Sequence, residues 1–306
     1  MFTPGTGDEQ RVSIRLVGRN ITLTGDPCDA YFQSLEAFSI QSAPLLRYLQ
    51  NHIKRDALCL DVGANIGLVS IMLALCCPDG EVHSFEGSPK NARHLKRNLA
   101  LNGIENCFVT EAAVGARVGR TRFRETPFAA GSHVAPGDPD TDLPASVIAV
   151  PTVTIDGYSR ERLGRKIDFM KLDVEGSEPA VLAGAGDTIQ RDRCPVYMEF
   201  NSWCLLVYQN FNPLAFATSI LATFDVARID TDGRAMPAGD GAVGKFLHTN
   251  LVQNGCVDDV LLRLKPGVKI PSLDEMTKCA DDLDNIRELR RLQAERSRLP
   301  LARDGT

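Results

Sequence analysis

Residues 11–16 (RVSIRL) and 20–24 (NITLT) alternate apolar and polar positions on either side of Val17-Gly18-Arg19, and a period of two around a glycine predicts an N-terminal hairpin. The spacing then changes to steps of three and four. Leu45, Leu46, Leu49 and Ile53 share one helical face, with Ser42 placed to cap it and Pro44 to fit its first turn. From residue 57 short apolar runs alternate with amphipathic stretches. Residues 57–61 predict a buried strand, followed by the glycine turn VGANIG and an apolar helix from about residue 66 to 76. EVHSFE predicts a strand ending at Glu86; Ser88 and Pro89 open a helix that Asn102-Gly103 closes, and CFVTEA is the third strand.

Between residues 114 and 153 the pattern breaks. A hairpin is expected near TRFRET, then a long loop over 126–146 that holds Pro127, Pro136, Pro139, Pro144, Gly131 and Gly137. A loop of that length in a compact domain is a lid, a binding loop or disordered. VIAVPTVT resumes alternation, with Pro151 implying an edge strand. IDFMKLD and CPVYMEF are buried strands, residues 212–223 a helix, and FDVARID and DDVLLRLK the last strands. Such β-α alternation with acids at strand ends implies an α/β, doubly wound, Rossmann-like sheet with ligands at the carboxyl ends of its strands. Three segments follow: residues 1–56, a hairpin and helix covering the substrate side; 57–265, the ligand-binding domain with its lid over 126–146; and 266–306, a helical tail. In that tail Met276, Cys279, Leu283, Ile286, Leu289 and Leu292 fall on one side from about Ser272, as a docking or homodimer face would.

Composition narrows the partners. With 43% hydrophobic and 24% charged residues the chain has the make-up of a globular protein and not of a disordered one. Its formal net charge of -5 and the lack of a basic tract argue against nucleic acid, whose phosphates are gripped by Lys and Arg. Nine cysteines, an odd number without any C-x-x-C, fit reduced and mostly buried thiols, and the Cys76-Cys77 pair fits the end of a packed helix. MFTPGTGDEQ has neither the basic nor the apolar region of a secretory signal, and no apolar run is long enough to span a bilayer, so a cytoplasmic protein is expected.

The strongest chemical signal is LCLDVGANIG, residues 58–67, with Glu86 at the end of the next strand. Gly63 and Gly67 allow a tight turn and close approach of a ligand. Glu86 can accept hydrogen bonds from a ribose cis-diol. The turn is G-x-N-x-G, however, and not the G-x-G-x-x-G that seats a diphosphate. A ligand with a ribose, no phosphates and a zwitterionic end fits better beside Asp61, and S-adenosylmethionine is that ligand. Asp173, ending KLD, adds a carboxylate suited to its ammonium group.

LDVGANIGLVS, VHSFEGSPKNARHLKRNLALNG, AAVG, VPTVTIDGY and IDFMKLDVEGSEPAVLAGA together resemble the FkbM-type methyltransferases of the class I S-adenosylmethionine-dependent fold, over roughly residues 57–200. The resemblance implies a seven-stranded sheet with an antiparallel final strand, and O-methylation of a hydroxyl on a small molecule, sugar, lipid-linked glycan or polyketide-like metabolite, leaving S-adenosylhomocysteine. It places Asp61, Gly63, Asn65 and Gly67 along the methionine half, Glu86 by the ribose, Ala112 and Ala113 at the adenine edge and Asp173 near the amino group, with Ser88 a further cofactor-binding residue. Where the family commonly has E-P-S-P, this chain has Glu86-Gly87-Ser88-Pro89, which alters the turn that walls the adenine side.

Methyl transfer asks mainly for alignment of acceptor and donor, aided by a base because an alcohol is protonated at neutral pH. Glu175, two residues beyond the KLD strand end, and Glu199, ending YMEFN, are the first candidates. Among five histidines, His133 in GSHV and His248 in FLHTN are the two placed to enter a site as base or substrate ligand. No His/Asp/Glu spacing marks a metal, and none is expected. Three other readings stay open: a nicotinamide-dependent oxidoreductase, opposed by the glycine turn and by Arg162 where Tyr158 would need a Lys; an N-methyltransferase of a small molecule or peptide; and a cofactor-binding module without catalysis. A nucleic-acid methyltransferase is opposed by charge and by the lack of a Pro-Pro-aromatic strand end.

Overall fold

The computed structural model describes residues 10–141, 143–238 and 242–277. Strands β1 (Gln10–Leu16) and β2 (Arg19–Gly25) form the expected antiparallel hairpin and bury Ile14, Leu16, Ile21 and Leu23. Two short helices that the apolar spacing did not disclose, α1 (Ala30–Gln33) and α2 (Leu35–Gln41), precede α3 (Ala43–His52), whose Leu45 and Leu49 face inward. Ser42 stands at the N-cap of α3 without a side-chain capping bond, and Pro44 fits the first turn.

The α/β core then unrolls as β3 (Leu58–Val62), α4 (Leu68–Cys76), β4 (Glu81–Glu86), α5 (Pro89–Leu101) and β5 (Cys107–Glu111). All five residues of β3 are buried, as expected of a strand covered on both faces. Asn98 of α5 binds the chain together: its Oδ1 accepts from the Thr24 N–H at 2.7 Å and its Nδ2 donates to the Ile66 carbonyl at 2.8 Å. The hairpin, α5 and the glycine turn are thereby held in one piece.

A second sheet occupies the region where the periodicity fails. It comprises β6 (Ala113–Val114), β7 (Gly119–Arg124), β8 (His133–Ala135) and β9 (Val147–Val153), in the order β6-β9-β7-β8. The segment 126–146 is therefore not a plain loop, since a 3-10 turn at Ala129–Gly131 and the strand β8 lie within it, β8 pairing antiparallel with β7. Nor is β9 an edge strand: it pairs with β7 along its length and with β6 at Thr152 and Val153. β6 stops short of Pro151, so the residue that lacks an N–H needs no partner on that side.

The chain continues through α6 (Ile155–Arg162), β10 (Phe169–Leu172), α7 (Glu178–Ala183), α8 (Gly186–Asp192), β11 (Val196–Asn201), α9 (Ser202–Gln209), α10 (Pro213–Thr223), β12 (Phe224–Ile229), β13 (Ala235–Pro237), α11 (Val243–His248), a π-helical turn at Thr249–Gln253, β14 (Val257–Leu264) and α12 (Leu273–Met276). The central sheet runs β13-β12-β14-β11-β10-β3-β4-β5. Strands β5, β4, β3, β10 and β11 are mutually parallel, and the last strand, β14, is antiparallel to β11. This is the expected α/β sheet with its antiparallel final strand, widened from seven to eight strands by the short edge strand β13. Eight described cysteines are free thiols, Cys28 alone of them exposed. The tail helix breaks early: Ser272 and Glu275 form a capping box, but Thr277 is already extended. The proposed apolar stripe from Cys279 to Leu292, and any dimer face on it, lie outside the described residues. Among the described residues no helix is long and apolar enough to cross a membrane.

Candidate active site

A cavity of about 510 Å³ opens at the carboxyl ends of β4, β3, β10 and β11, covered by α1–α3 on one side and by the β7–β8 connection on another. Parallel strands end there together, which is why residues distant in sequence converge. The glycine-turn end is lined by Gly63, Asn65, Glu86, Gly87, Ala112 and Ala113. The opposite end carries Asp173, Glu175, Glu199 and Asp259 below the aromatic rings of Trp203 and Tyr208.

Gly63 has φ +82°, and a Cβ there would stand 1.7 Å from the Asp173 carbonyl oxygen. The close approach that this glycine permits is thus to the neighbouring strand end as well as to the cavity. Next to it Asn65 adopts a left-handed φ of 50°. That aims its N–H at Glu86 Oε2, 2.7 Å away, while the Ser88 N–H donates to Oε1 at 2.7 Å. Both carboxylate oxygens are fixed by backbone and keep lone pairs for a further donor. Burial pushes Glu86 up to about 7, against the pull of those two N–H groups. Asn65 Oδ1 is buried without a hydrogen-bond partner among the described residues.

Three residues assigned to the cofactor stand behind the wall and not on it. Asp61 is fully buried; its Oδ2 accepts from Ser70 Oγ at 2.6 Å and its Oδ1 is unpaired, with burial raising its pKa against the field of Lys171. Gly67 caps α4 at φ +100°, where a Cβ would meet Leu95 at 2.5 Å, so its role is helix packing. Ser88 caps α5 and donates to Glu125, linking the turn to the second sheet.

At the acidic end Lys171, on β10 beside Asp61 of β3, reaches Asp173 at 2.7 Å. Burial works against its charge, yet Asp173 and Asp61 hold its pKa above the ordinary lysine value. The turn after Asp173 is pinned by Glu178, which accepts from the Val174 N–H at 3.0 Å, and Glu175 sits in it with a left-handed φ of 54°. Cys204, on the first turn of α9, donates its thiol to Glu175 Oε2 at 3.0 Å. Burial, then Asp173, pushes Glu175 up to about 8. Glu199 is also raised well above the ordinary carboxylate range, by burial and then by Asp173 and Glu175, and Asp259, its cross-strand partner on β14, is pushed up to about 6 by burial first. Each of these acids keeps one side open to the cavity.

The fold also makes a constellation that the linear spacing hid. Carboxylate oxygens of Asp173, Glu175 and Glu199 lie within 4.8 Å of one another, a span that a divalent cation can bridge. Each also has a donor of the protein, from Lys171, Cys204 and Asn201 respectively.

Neither histidine reaches the cavity wall. His133 is buried with its ring stacked on Tyr208, centroids 3.7 Å apart, and its Nδ1 paired with the Gly131 carbonyl; burial lowers its pKa. It props Tyr208 from behind. His248 closes α11 away from the lining residues. Sequence reasoning missed Lys171, Asp259, Cys204, Trp203 and Phe123, all on the wall. Lys171 and Asp259 have a period-two signal, lying on the same faces of their strands as Asp173 and Leu261; Cys204 and Trp203 are placed by a cap, Asn201 Oδ1 accepting from the Cys204 N–H at 3.0 Å.

A family model described as the methyltransferase FkbM domain matches residues 61–213. The chain is 26% identical over 194 residues to the 2-O-methyltransferase NoeI of Sinorhizobium fredii (strain NBRC 101917 / NGR234), a match covering 56% of this chain and 74% of that protein. Among solved structures it is similar to a methyltransferase FkbM from Methylobacillus flagellatus KT, with TM-score 0.38 and 14% identity over 68% of this chain and 44% of the other, less than half of its length. It is also similar to M. jannaschii TYW2 in complex with AdoMet, with TM-score 0.40 and 12% identity over 86% and 87% of the two chains.

Proposed function

We propose, from the premise that the chain belongs to the FkbM methyltransferase family, that it transfers the methyl group of S-adenosylmethionine to a hydroxyl of a small molecule or sugar. The observation that carries this reading is Glu86, a carboxylate fixed by two backbone N–H groups and facing the cavity with lone pairs to spare. It suits a ribose diol. Among the described residues lining the cavity, Lys171 is the one basic side chain, and it stands at the far end, while the G-x-N-x-G turn lacks the G-x-G-x-x-G spacing that seats the diphosphate of a nicotinamide cofactor. The unpaired Asn65 Oδ1 is a ready acceptor for a ligand N–H or O–H.

Bound there, S-adenosylmethionine supplies a methyl group already activated on a positive sulfonium. The chain's own work is to hold the acceptor oxygen in line and to take its proton. Glu175 and Glu199 line the cavity together with Trp203, which supports putting the acceptor at that end. The acidic end also favours the cationic donor over its neutral product, which promotes product release. The hydroxyl specificity is supported by the relative named as a 2-O-methyltransferase.

The test uses the purified chain, methyl-tritiated S-adenosylmethionine, and methyl glycosides with a free 2-hydroxyl beside their 2-deoxy counterparts, with magnesium or with EDTA. Label is expected in the 2-hydroxy sugars alone, and loss of label in EDTA would assign an ion to the Asp173, Glu175 and Glu199 cluster. Binding heat with NADH but none with S-adenosylmethionine would overturn the reading. For the segment 126–146 a lid role is proposed. Because β8 already pairs with β7, hydrogen exchange is expected to slow on ligand binding at 126–132 and 136–146, with 133–135 protected throughout. Equal exchange in empty and ternary states would make the segment a surface insertion.

A further inference from the structure

We propose that Phe123, a residue of the second sheet, binds the adenine ring of the cofactor, and that Gly87 is glycine so that this ring can reach it. The proposal rests on the S-adenosylmethionine reading above.

Phe123 lies near the C-terminal end of β7, which runs between β8 and β9, and lines the cavity with Gly87, Ala112 and Ala113. A Cβ on Gly87 would stand 2.5 Å from Phe123 Cε2 and 2.9 Å from Cδ2, so the ring occupies the place of the missing side chain. The other residues at this point are small, leaving an apolar slot with one aromatic wall. Glu86 immediately precedes Gly87, and with Glu86 on the ribose diol the base falls into that slot. A planar, weakly polar heterocycle against an aromatic ring is a favourable pairing. The unusual Glu-Gly-Ser-Pro sequence thereby acquires a physical reason. A side chain at position 87 would have to share the space that Phe123 now fills.

The ring also packs with Ala113, Val150, Val134 and Ile148, so its removal could loosen the second sheet. Phe123→Leu keeps an apolar side chain there and is the informative variant. Calorimetric titrations with S-adenosylhomocysteine and with 5′-methylthioadenosine, which share only the adenosine portion and sulfur, are the readout. Phe123→Leu is expected to weaken both by about tenfold and by the same factor. Gly87→Ala should weaken both in the native background and change little in the Phe123→Leu background, where the ring it displaces is gone. Undiminished binding of both ligands by Phe123→Leu would overturn the proposal, as would a loss confined to S-adenosylhomocysteine, since that places the defect at the amino-acid end. If the native chain bound neither ligand, the cofactor reading itself would fall, and this inference with it.

Discussion

Glu86→Ala is expected to bind S-adenosylmethionine and S-adenosylhomocysteine at least tenfold more weakly than the native chain, a loss of about 1.5–3 kcal/mol for hydrogen bonds to a charged acceptor. The carboxylate does two things at once, receiving the Asn65 and Ser88 N–H groups and offering its remaining lone pairs to the cavity. Alanine removes both, whereas Glu86→Gln keeps one acceptor oxygen and tests the charge separately. The sign of the pH dependence follows from the carboxyl being pushed up to about 7 by burial. Below that pH the group is neutral and a weaker acceptor; above it the group is charged. Affinity of the native chain for S-adenosylhomocysteine, whose neutral sulfur does not couple to the acids at the other end, should therefore rise as pH passes upward through this region, and that of Glu86→Gln should rise much less. Calorimetry between pH 6 and 8 reads both effects, and native affinity retained by Glu86→Ala would remove the ribose role.

The parts of the molecule that were legible in its sequence are those set by local rules. A fully buried strand such as Leu58–Val62 reads as an apolar run that a single acid, Asp61, closes before the glycine turn, and Ser88-Pro89 reads as a helix start because capping is a contact between near neighbours. Two strands of the second sheet, β7 and β9, were legible as TRFRET and VIAVPTVT, but the sheet itself was not, because its pairing joins β9 to β6 and β7 across a segment rich in proline and glycine. The same division runs through the site. Glu86, Glu175 and Glu199 could be placed because acids at strand ends of a parallel sheet face one edge. Asp61 could not be distinguished from them, although its side chain turns to Ser70 inside the protein, since a strand end is known from sequence to within a residue and side-chain direction reverses with each one. His133 failed for a different reason. Its neighbour in space, Tyr208, comes from α9, and that ring stands on its cavity side.

The base is expected to be Glu175 and not Glu199, and the argument is electrostatic. The two carboxyls face one another with Asp173 beside them, so one proton is shared most cheaply by the group with the greater proton affinity. Asp173, Glu175 and Asp259 all add to the effect of burial in raising Glu199, against the Asn201 amide, whereas both the Cys204 thiol hydrogen bond and the Lys171 charge oppose the rise of Glu175, which is pushed up to about 8. Glu199 then keeps the proton and can donate to the acceptor, while Glu175 ionises and can accept. With an acceptor from the glycoside panel and saturating S-adenosylmethionine, Glu175→Gln should lower kcat by roughly a hundredfold, the lower end of general-base contributions. Glu199→Gln, which mimics the protonated acid, should cost only a few fold. The native pH profile should rise through the ionisation of Glu175, at or below pH 8 because a bound sulfonium favours the charged form. Because Glu199 stays protonated across that limb, Glu199→Gln should leave its position nearly unchanged, and Glu175→Gln should abolish it. A hundredfold loss in Glu199→Gln with an unchanged Glu175→Gln would exchange the two roles, and small effects in both would leave alignment of the acceptor as the source of the rate.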